Sequence, residues 1–214
     1  MNDTLEVCER FCSLQGESSY AGMGCYFIRL AGCNLRCRYC DSAHAVEKSG
    51  TLITVDVLVD EAVRTRVPLI EVTGGEPLLQ VATPRLLRGL SAIPGRTVLI
   101  ETNGSLDISE IPSGVVAVVD VKCPDSGAAD SFDMVNLARL RPQDELKFVI
   151  GSRRDYEWAR QFVRQHAAGR RGTAVHFSPV AGTEFSATEL ASWIVDDGLN
   201  VRLQLQVHRM LQIR

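Results

Sequence analysis

The chain lacks a hydrophobic run long enough to cross a membrane. Its longest apolar stretch is confined to residues 115–119, whereas a membrane-spanning helix needs roughly 20 such residues. The start Met1-Asn2-Asp3-Thr4 also lacks the basic region and following apolar region of a secretory leader. We therefore expect a cytoplasmic protein with no membrane partner.

The chain also lacks an excess of charge of one sign. It has 23 Lys and Arg residues against 26 Asp and Glu residues, which gives a net charge of -3. Nucleic-acid backbones and anionic membranes attract broad positive surfaces, so we expect no direct binding of nucleic acid. Repeats and proline-rich linkers are absent too. Because 45% of the 214 residues are hydrophobic, residues 1–214 are expected to form one domain with a substantial core.

Seven cysteines are present, an odd number that cannot pair completely. In a cytoplasmic protein, such cysteines are better explained by metal ligation or redox chemistry than by a disulfide framework.

Short apolar runs rich in β-branched residues recur along the chain and predict strands. They are residues 25–30, 69–73, 97–101, 115–121, 145–150, 173–177 and 201–207. Helical patterns lie between several of them, over residues 55–64 and 154–166, and another begins at Ser186 with Glu189 placed for a capping box. This alternation predicts an α/β fold with a mostly parallel sheet. A closed eight-unit barrel typically needs about 250 residues, and residues 101–115 are too short a connection for a good helix, so we expect an incomplete, open barrel.

Polar or reactive residues follow nearly every predicted strand. They are Cys33, residues 73–76, residues 102–103, Lys122, residues 178–179 and His208. Because parallel strands deliver the loops after their carboxyl ends to one face, these residues are expected to share one pocket. That arrangement is typical of an enzyme.

Cys33, Cys37 and Cys40 are separated by three and then two residues, a spacing that lets three thiolates face one centre. A structural zinc site needs a fourth ligand, for which His44 is the best candidate. An iron–sulfur cube held by three cysteines would instead leave one iron open to a small molecule. A structural or zinc role remains the alternative at this point.

Taken together, two motifs resemble the radical S-adenosylmethionine (SAM) superfamily. The first is the cysteine spacing with the aromatic Tyr39 before the last cysteine, and the second is the Thr-Gly-Gly-Glu-Pro run at residues 73–77. Further segments, residues 11–17, 25–35, 40–42, 71–78 and 207–209, resemble the 7-carboxy-7-deazaguanine synthase family. The resemblance covers nearly the whole chain.

The resemblance implies a partial β/α barrel of the radical SAM type with reduced helices. The implied reaction is a radical ring contraction of 6-carboxy-5,6,7,8-tetrahydropterin to 7-carboxy-7-deazaguanine, with release of ammonia, in queuosine and 7-deazapurine biosynthesis. The implied cofactors are a 4Fe-4S cluster, SAM and Mg²⁺. An external one-electron reductant such as flavodoxin and a homodimer are also implied.

Site residues follow from the resemblance position by position. Cys33, Cys37 and Cys40 match the cluster ligands. The SAM contacts are Tyr39, Cys40, Asp41, Gly75, Glu76, Asn103, Asp120, Val121, Lys122 and Ser178, and the substrate contacts are Leu14, Gln15, Gly16, Arg29, Thr73 and His208. Ser42 stands where the family usually has a magnesium-ligating threonine. Two departures affect the pocket: residues 120–122 read Asp-Val-Lys where some members have Ser-Pro-Lys, and residues 210–214 lack the usual aromatic or proline residue.

Other interpretations remain open from the residues alone. Arg29 shares a strand face with Cys25 and Phe27, so its charge fits either a carboxylate ligand or an internal salt bridge. A glycyl-radical enzyme activase, which acts on a protein, shares the cysteine and glycine motifs, although residues 14–17 and His208 suit a small ligand better. A noncatalytic iron–sulfur or zinc-binding protein is the third possibility.

Overall fold

The computed structural model describes residues 3–47, 49–166, 168–169, 172–181 and 185–213. Its strands form one sheet in the order β3-β1-β2-β4-β5-β6-β7-β8-β9. Their bounds are β1 Thr4–Leu14, β2 Gly24–Leu30, β3 Thr51–Thr54, β4 Leu69–Gly74, β5 Thr97–Thr102, β6 Val115–Asp120, β7 Glu145–Ile150, β8 Ala174–Pro179 and β9 Arg202–Leu203. The helices are α1 Val55–Arg64, α2 Thr83–Ser91, α3 Asn136–Arg139, α4 Arg153–Gln165, α5 Ala187–Asp196 and α6 Val207–Met210.

The sheet is parallel from β2 through β4 to β9, and β1 pairs antiparallel with both β2 and β3. In this strand order β3 and β9 are the two ends, so the sheet curves without closing. The predicted open α/β barrel is confirmed. The predicted absence of a helix between β5 and β6 is confirmed as well.

Two parts of the sheet differ from the sequence expectation. The final strand, predicted over residues 201–207, covers only Arg202–Leu203, because the chain turns after Gln204 and starts α6 at Val207. The hairpin partners β1 and β3 were not predicted. In β1 the buried Leu5 and Val7 alternate with polar residues, and β3 is a mostly exposed edge, so neither forms an apolar run.

The two faces of the sheet bury different kinds of residue. Side chains on the outer face, such as Ile70, Ile100 and Phe148, join the main core with α1, α2 and α4. Inner-face residues such as Cys25, Phe27 and Leu99 form a smaller apolar cluster. Because side chains alternate along a strand, the next inner positions toward the carboxyl ends are free to carry the polar groups of a site.

The predicted capping box at the start of α5 is confirmed. The Ser186 Oγ accepts a hydrogen bond from the Glu189 amide at 3.1 Å, and the Glu189 carboxylate accepts one from the Ser186 amide at 3.1 Å. The helix then buries Leu190 and Ile194 in the main core. Among the described residues, the helices are too short and too polar to cross a bilayer.

We expect Ser186→Ala to destabilise the protein by about 1 kcal/mol, because the amide at the third helical position loses its acceptor. For a chain of this size, that loss lowers the melting temperature by roughly 2–4 °C, which calorimetry can measure. Ser192→Ala is the matched control, since Ser192 is exposed on the same helix and only donates to the Thr188 carbonyl. Equal shifts for the two variants would contradict the capping role.

Candidate active site

Most of the predicted site residues line one cavity at the carboxyl ends of the parallel strands. They are Leu14, Gln15, Gly16, Arg29, Cys33, Cys37, Tyr39, Cys40, Asp41, Ser42, Thr73, Gly75, Asn103, Asp120, Lys122 and His208. The structure therefore brings together segments from both ends of the chain, as the strand-end argument predicts.

Three other predicted SAM contacts, Glu76, Val121 and Ser178, are fully buried beside the cavity and do not line it. Glu76 accepts hydrogen bonds from the Leu78 amide at 2.9 Å, the Thr102 hydroxyl at 2.8 Å and the Asn103 amide at 2.7 Å. Burial raises the pKa of this carboxyl group. Glu76 thus fastens the glycine-rich loop to the end of β5, and contacts of these three residues with SAM stay predictions.

The cysteine loop is held by backbone hydrogen bonds on two sides. The Cys33 amide donates to the Val46 carbonyl at 3.0 Å, and the Arg38 amide donates to the Ser126 carbonyl at 3.0 Å. The Leu35 amide lies 3.4 Å from the Cys33 sulfur. Burial raises the pKa of Cys37 in the free protein, so a bound cation would be needed to hold it as a thiolate.

The donor set fits an iron–sulfur cluster. All three sulfur-bearing residues line the same cavity and none is disulfide-bonded, and Cys33 and Cys37 are half-buried. Within the described ranges, no group of three His, Cys, Asp or Glu side chains is arranged to hold a single metal ion.

The glycine-rich loop touches the cysteine loop through backbone atoms. A Cβ at Gly75 would lie 2.3 Å from the Gly32 carbonyl oxygen and 2.8 Å from the Cys33 Cβ. Gly32 itself has a φ of 94°, a conformation that glycine adopts readily. The two motifs of the sequence are therefore in direct contact, and Gly75 cannot gain a side chain without moving the cysteine loop.

Lys122 and Asp120 form an ion pair on the cavity wall next to the cysteine loop. The Lys122 Nζ lies 2.7 Å from the Asp120 Oδ2. Burial alone would lower the pKa of Lys122, but the Asp120 carboxylate raises it above its usual value. The lysine is therefore charged and can face an anionic group.

Arg29 lies at the centre of a polar chain. Its Nε donates to the Glu9 carboxylate at 2.7 Å, its Nη1 donates to the Ser42 Oγ at 3.1 Å, and Ser42 in turn donates to Asp41 at 3.0 Å. The internal salt bridge considered from the sequence is present. Arg29 also lines the cavity, so binding of a ligand carboxylate stays a prediction.

His208 closes the cavity from α6. A Cβ at Gly16 would come 1.7 Å from the His208 Nδ1, and the Val207 amide donates to the Gly16 carbonyl at 3.0 Å. Burial lowers the pKa of His208, so its imidazole is neutral at pH 7. The close packing of His208 against Gly16 explains why glycine occupies position 16.

A set of charged residues on the inner strand face was not predicted from the sequence. The Lys147 Nζ lies 2.7 Å from both the Glu17 and the Glu101 carboxylates, and Glu71 hydrogen-bonds with the Gln15 amide group. Burial raises the pKa of Glu71, and repulsion from Glu101 adds to the effect. The sequence does carry a signal for these residues, because each strand residue among them is a charged residue at an inward-facing position of an otherwise apolar strand.

We expect Gly75→Ala to push the cysteine loop away from the glycine-rich loop. A misplacement of about 1 Å near reacting groups can reduce activity on the order of 100-fold, so iron content, SAM binding and turnover should all fall. Gly114→Ala is the control, because its Cβ would only meet the Ser91 Cβ at 3.7 Å. Unchanged SAM binding in the Gly75 variant would contradict the direct approach of the loops.

Comparison with known proteins agrees with this site. The profile of the radical SAM superfamily matches residues 27–120. A 7-carboxy-7-deazaguanine synthase from Koribacter versatilis (strain Ellin345) is 43% identical, covering 97% of this chain and 96% of that protein. A second, from Chlorobaculum tepidum, is 41% identical, covering 97% of this chain and 94% of that protein.

The fold has a close counterpart among solved structures. The crystal structure of QueE from Escherichia coli superposes with a TM-score of 0.77 at 21% identity, covering 96% of this chain and 95% of that one. The resemblance predicted from the motifs is confirmed over the whole length. The chain belongs to the 7-carboxy-7-deazaguanine synthase family of radical SAM enzymes.

Proposed function

We propose that this chain converts 6-carboxy-5,6,7,8-tetrahydropterin to 7-carboxy-7-deazaguanine by radical ring contraction, with release of ammonia. The proposal rests on one observation: the three cysteines line the same cavity as charged residues such as Lys147 and apolar residues such as Phe27. The two 7-carboxy-7-deazaguanine synthases compared above each match 97% of the chain. This similarity favours a small-molecule substrate over the glycyl-radical protein of the alternative interpretation.

Cys33, Cys37 and Cys40 would hold the cluster, and Gly75 would let backbone groups approach the methionine part of SAM. When bound, the cluster and SAM supply a 5'-deoxyadenosyl radical. The protein must then place one hydrogen of the substrate within reach of that radical and keep water out. Half-burial of Cys33 and Cys37 and the packing of His208 against Gly16 at the cavity wall suit this task.

The polar chain around Arg29 suits the carboxylate of the pterin. Arg29 supplies positive charge, and the Ser42 hydroxyl has a second lone pair beyond the one that accepts from Arg29. We propose that this oxygen ligates Mg²⁺, which prefers oxygen ligands and commonly completes its shell with water and substrate oxygens. Serine offers the same oxygen as threonine but lacks the methyl group that restricts its rotamer.

Other residues of the cavity lining suit the pterin ring. Phe11 and Phe27 stack with their centroids 5.1 Å apart and provide a flat apolar wall. Glu17 and Glu101 present carboxylate oxygens to the same cavity, with Lys147 between them. The pyrimidine part of a pterin carries N–H donors, so carboxylate acceptors here would fix its orientation.

Further features are proposed on the sequence resemblance alone. The chain would work as one domain over residues 1–214, in the cytoplasm and as a homodimer. Its cluster would be reduced by an external one-electron donor such as flavodoxin.

The proposed function predicts product formation by the anaerobically reconstituted protein with SAM, dithionite and the carboxypterin. Mass detection should show 7-carboxy-7-deazaguanine together with 5'-deoxyadenosine, and Cys37→Ala should abolish both because one cluster ligand is lost. A parallel reaction with a glycyl-radical protein should give no glycyl radical. Formation of 5'-deoxyadenosine without any deazaguanine would refute the assignment.

For the magnesium site we expect Ser42→Ala to lower product formation by about tenfold or more at limiting Mg²⁺, because an oxygen ligand is removed. Ser42→Thr should retain activity, since it restores the hydroxyl. The measurement is the initial rate against Mg²⁺ concentration for the three proteins. Superimposable titration curves would exclude Ser42 as a ligand.

A further inference from the structure

A buried acid–imidazole pair lies on the inner face of the sheet, outside the lining of the cavity. It joins Glu145, the first residue of β7, to His176 of β8, with the Glu145 Oε2 and the His176 Nε2 2.9 Å apart. The side chains are only 4% and 2% exposed. Burial alone would raise the pKa of Glu145, but hydrogen bonds from His176 and Ser19 lower it, so the carboxylate is charged at pH 7.

The carboxylate also holds a distant piece of backbone. The Ser19 amide donates to its two oxygens at 3.0 and 3.3 Å, across a separation of 126 residues. From β9, the Arg202 guanidinium donates to the Ser19 hydroxyl at 2.8 Å. Two strands near the open end of the sheet thus hold the connection between β1 and β2.

That connection adopts a conformation that needs such support. Ser18 is buried and has a φ of 62°, in the left-handed region that a side chain disfavours. Residues kept in this region persist when their surroundings hold them, and they concentrate at functional sites. The neighbouring Ser19 amide is the group that Glu145 binds.

The same connection supplies one wall of the cavity. Gln15, Gly16 and Glu17 all line it, and the Glu17 amide donates to the Gln15 side-chain oxygen at 3.0 Å. At cavity level, Lys147 of β7 binds the Glu17 carboxylate. β7 therefore contacts the β1–β2 connection at two positions along the strand. Lys147 does so inside the cavity, and Glu145 does so outside the cavity lining.

We propose that Glu145 is a positioning residue for the pterin substrate. Its carboxylate, which contacts His176, fixes the Ser19 amide and so sets where Gln15, Gly16 and Glu17 stand against the ligand. The proposal rests on the function proposed for this cavity, but the anchoring contact itself can be tested without substrate.

The first test is hydrogen exchange on the reconstituted protein without substrate. In Glu145→Gln, the weaker acceptor should leave the peptide covering residues 15–22 exchanging about tenfold faster than in the wild type. Identical exchange in the two proteins would overturn the anchor, whatever reaction the protein catalyses.

The second test is steady-state kinetics with the carboxypterin. Glu145→Gln should raise KM for the pterin by about tenfold with kcat nearly unchanged, the pattern expected for lost ground-state binding. The KM for SAM should stay within about twofold, because the cysteine and glycine-rich loops are untouched. Arg202→Met, at an exposed position, should raise the pterin KM in the same direction without threatening the fold.

Asp144→Asn is the matched control. Asp144 is equally buried and adjacent in sequence, but it pairs with Arg141 and accepts from the Ala117 amide, away from residues 15–19. It should lower the melting temperature and leave the pterin KM unchanged. Equal KM increases in the Asp144 and Glu145 variants, or none in the Glu145 and Arg202 variants, would overturn the positioning role. A wild type without deazaguanine product would instead refute the proposed function and leave the exchange result standing.

Discussion

The charged side chains inside this barrel can be buried only as a set of mutually compensating partners. An isolated ion in a protein interior is very unfavourable, and removal of one member of a buried pair leaves the other uncompensated. Lys147 meets this condition by contacting Glu17 and Glu101 at once. Glu71 meets it in another way, since its raised pKa favours the neutral carboxyl group.

Two kinds of contact hold the wall of the cavity together. The cysteine loop and the glycine-rich loop come together through backbone atoms, and the closeness depends on Gly75, whose Cβ would lie 2.3 Å from the Gly32 carbonyl oxygen. Side chains from β5, β7 and the β1–β2 connection come together through charge instead, and Lys147 also lies 3.9 Å from Asp120 beside the cysteine loop. Arg29 and Ser42 also line the cavity and hydrogen-bond to each other, an arrangement that suits the proposed binding of a substrate carboxylate.

Features fixed by local sequence were predictable, and features fixed by distant partners were not. The bounds of α1 and the Ser186 capping box follow from residues a few positions apart, and the structure has them as predicted. β1 was not predicted because its polar residues interact with other parts of the fold and interrupt the apolar pattern. Glu9, for example, accepts a hydrogen bond from Arg29. Glu145 and Lys147 looked like ordinary strand charges, since only the fold shows that both face residues 17–19. The resemblance singled out the three cysteines that the structure brings to one cavity, but it could not indicate that Glu76 accepts hydrogen bonds from the Leu78 and Asn103 amides and the Thr102 hydroxyl.

The β1–β2 connection and the C-terminal helix behave as one structural unit around the cavity mouth. The Gly16 carbonyl accepts from the Val207 amide while His208 fills the space that a side chain at position 16 would need. Glu17 accepts a hydrogen bond from Gln206 at 3.1 Å and is paired with Lys147. A shift of the connection therefore moves His208 and the Glu17 carboxylate together. Because Glu145 fixes Ser19 only two residues beyond Glu17, a charged group outside the cavity lining constrains both the wall and the closing residue of the site.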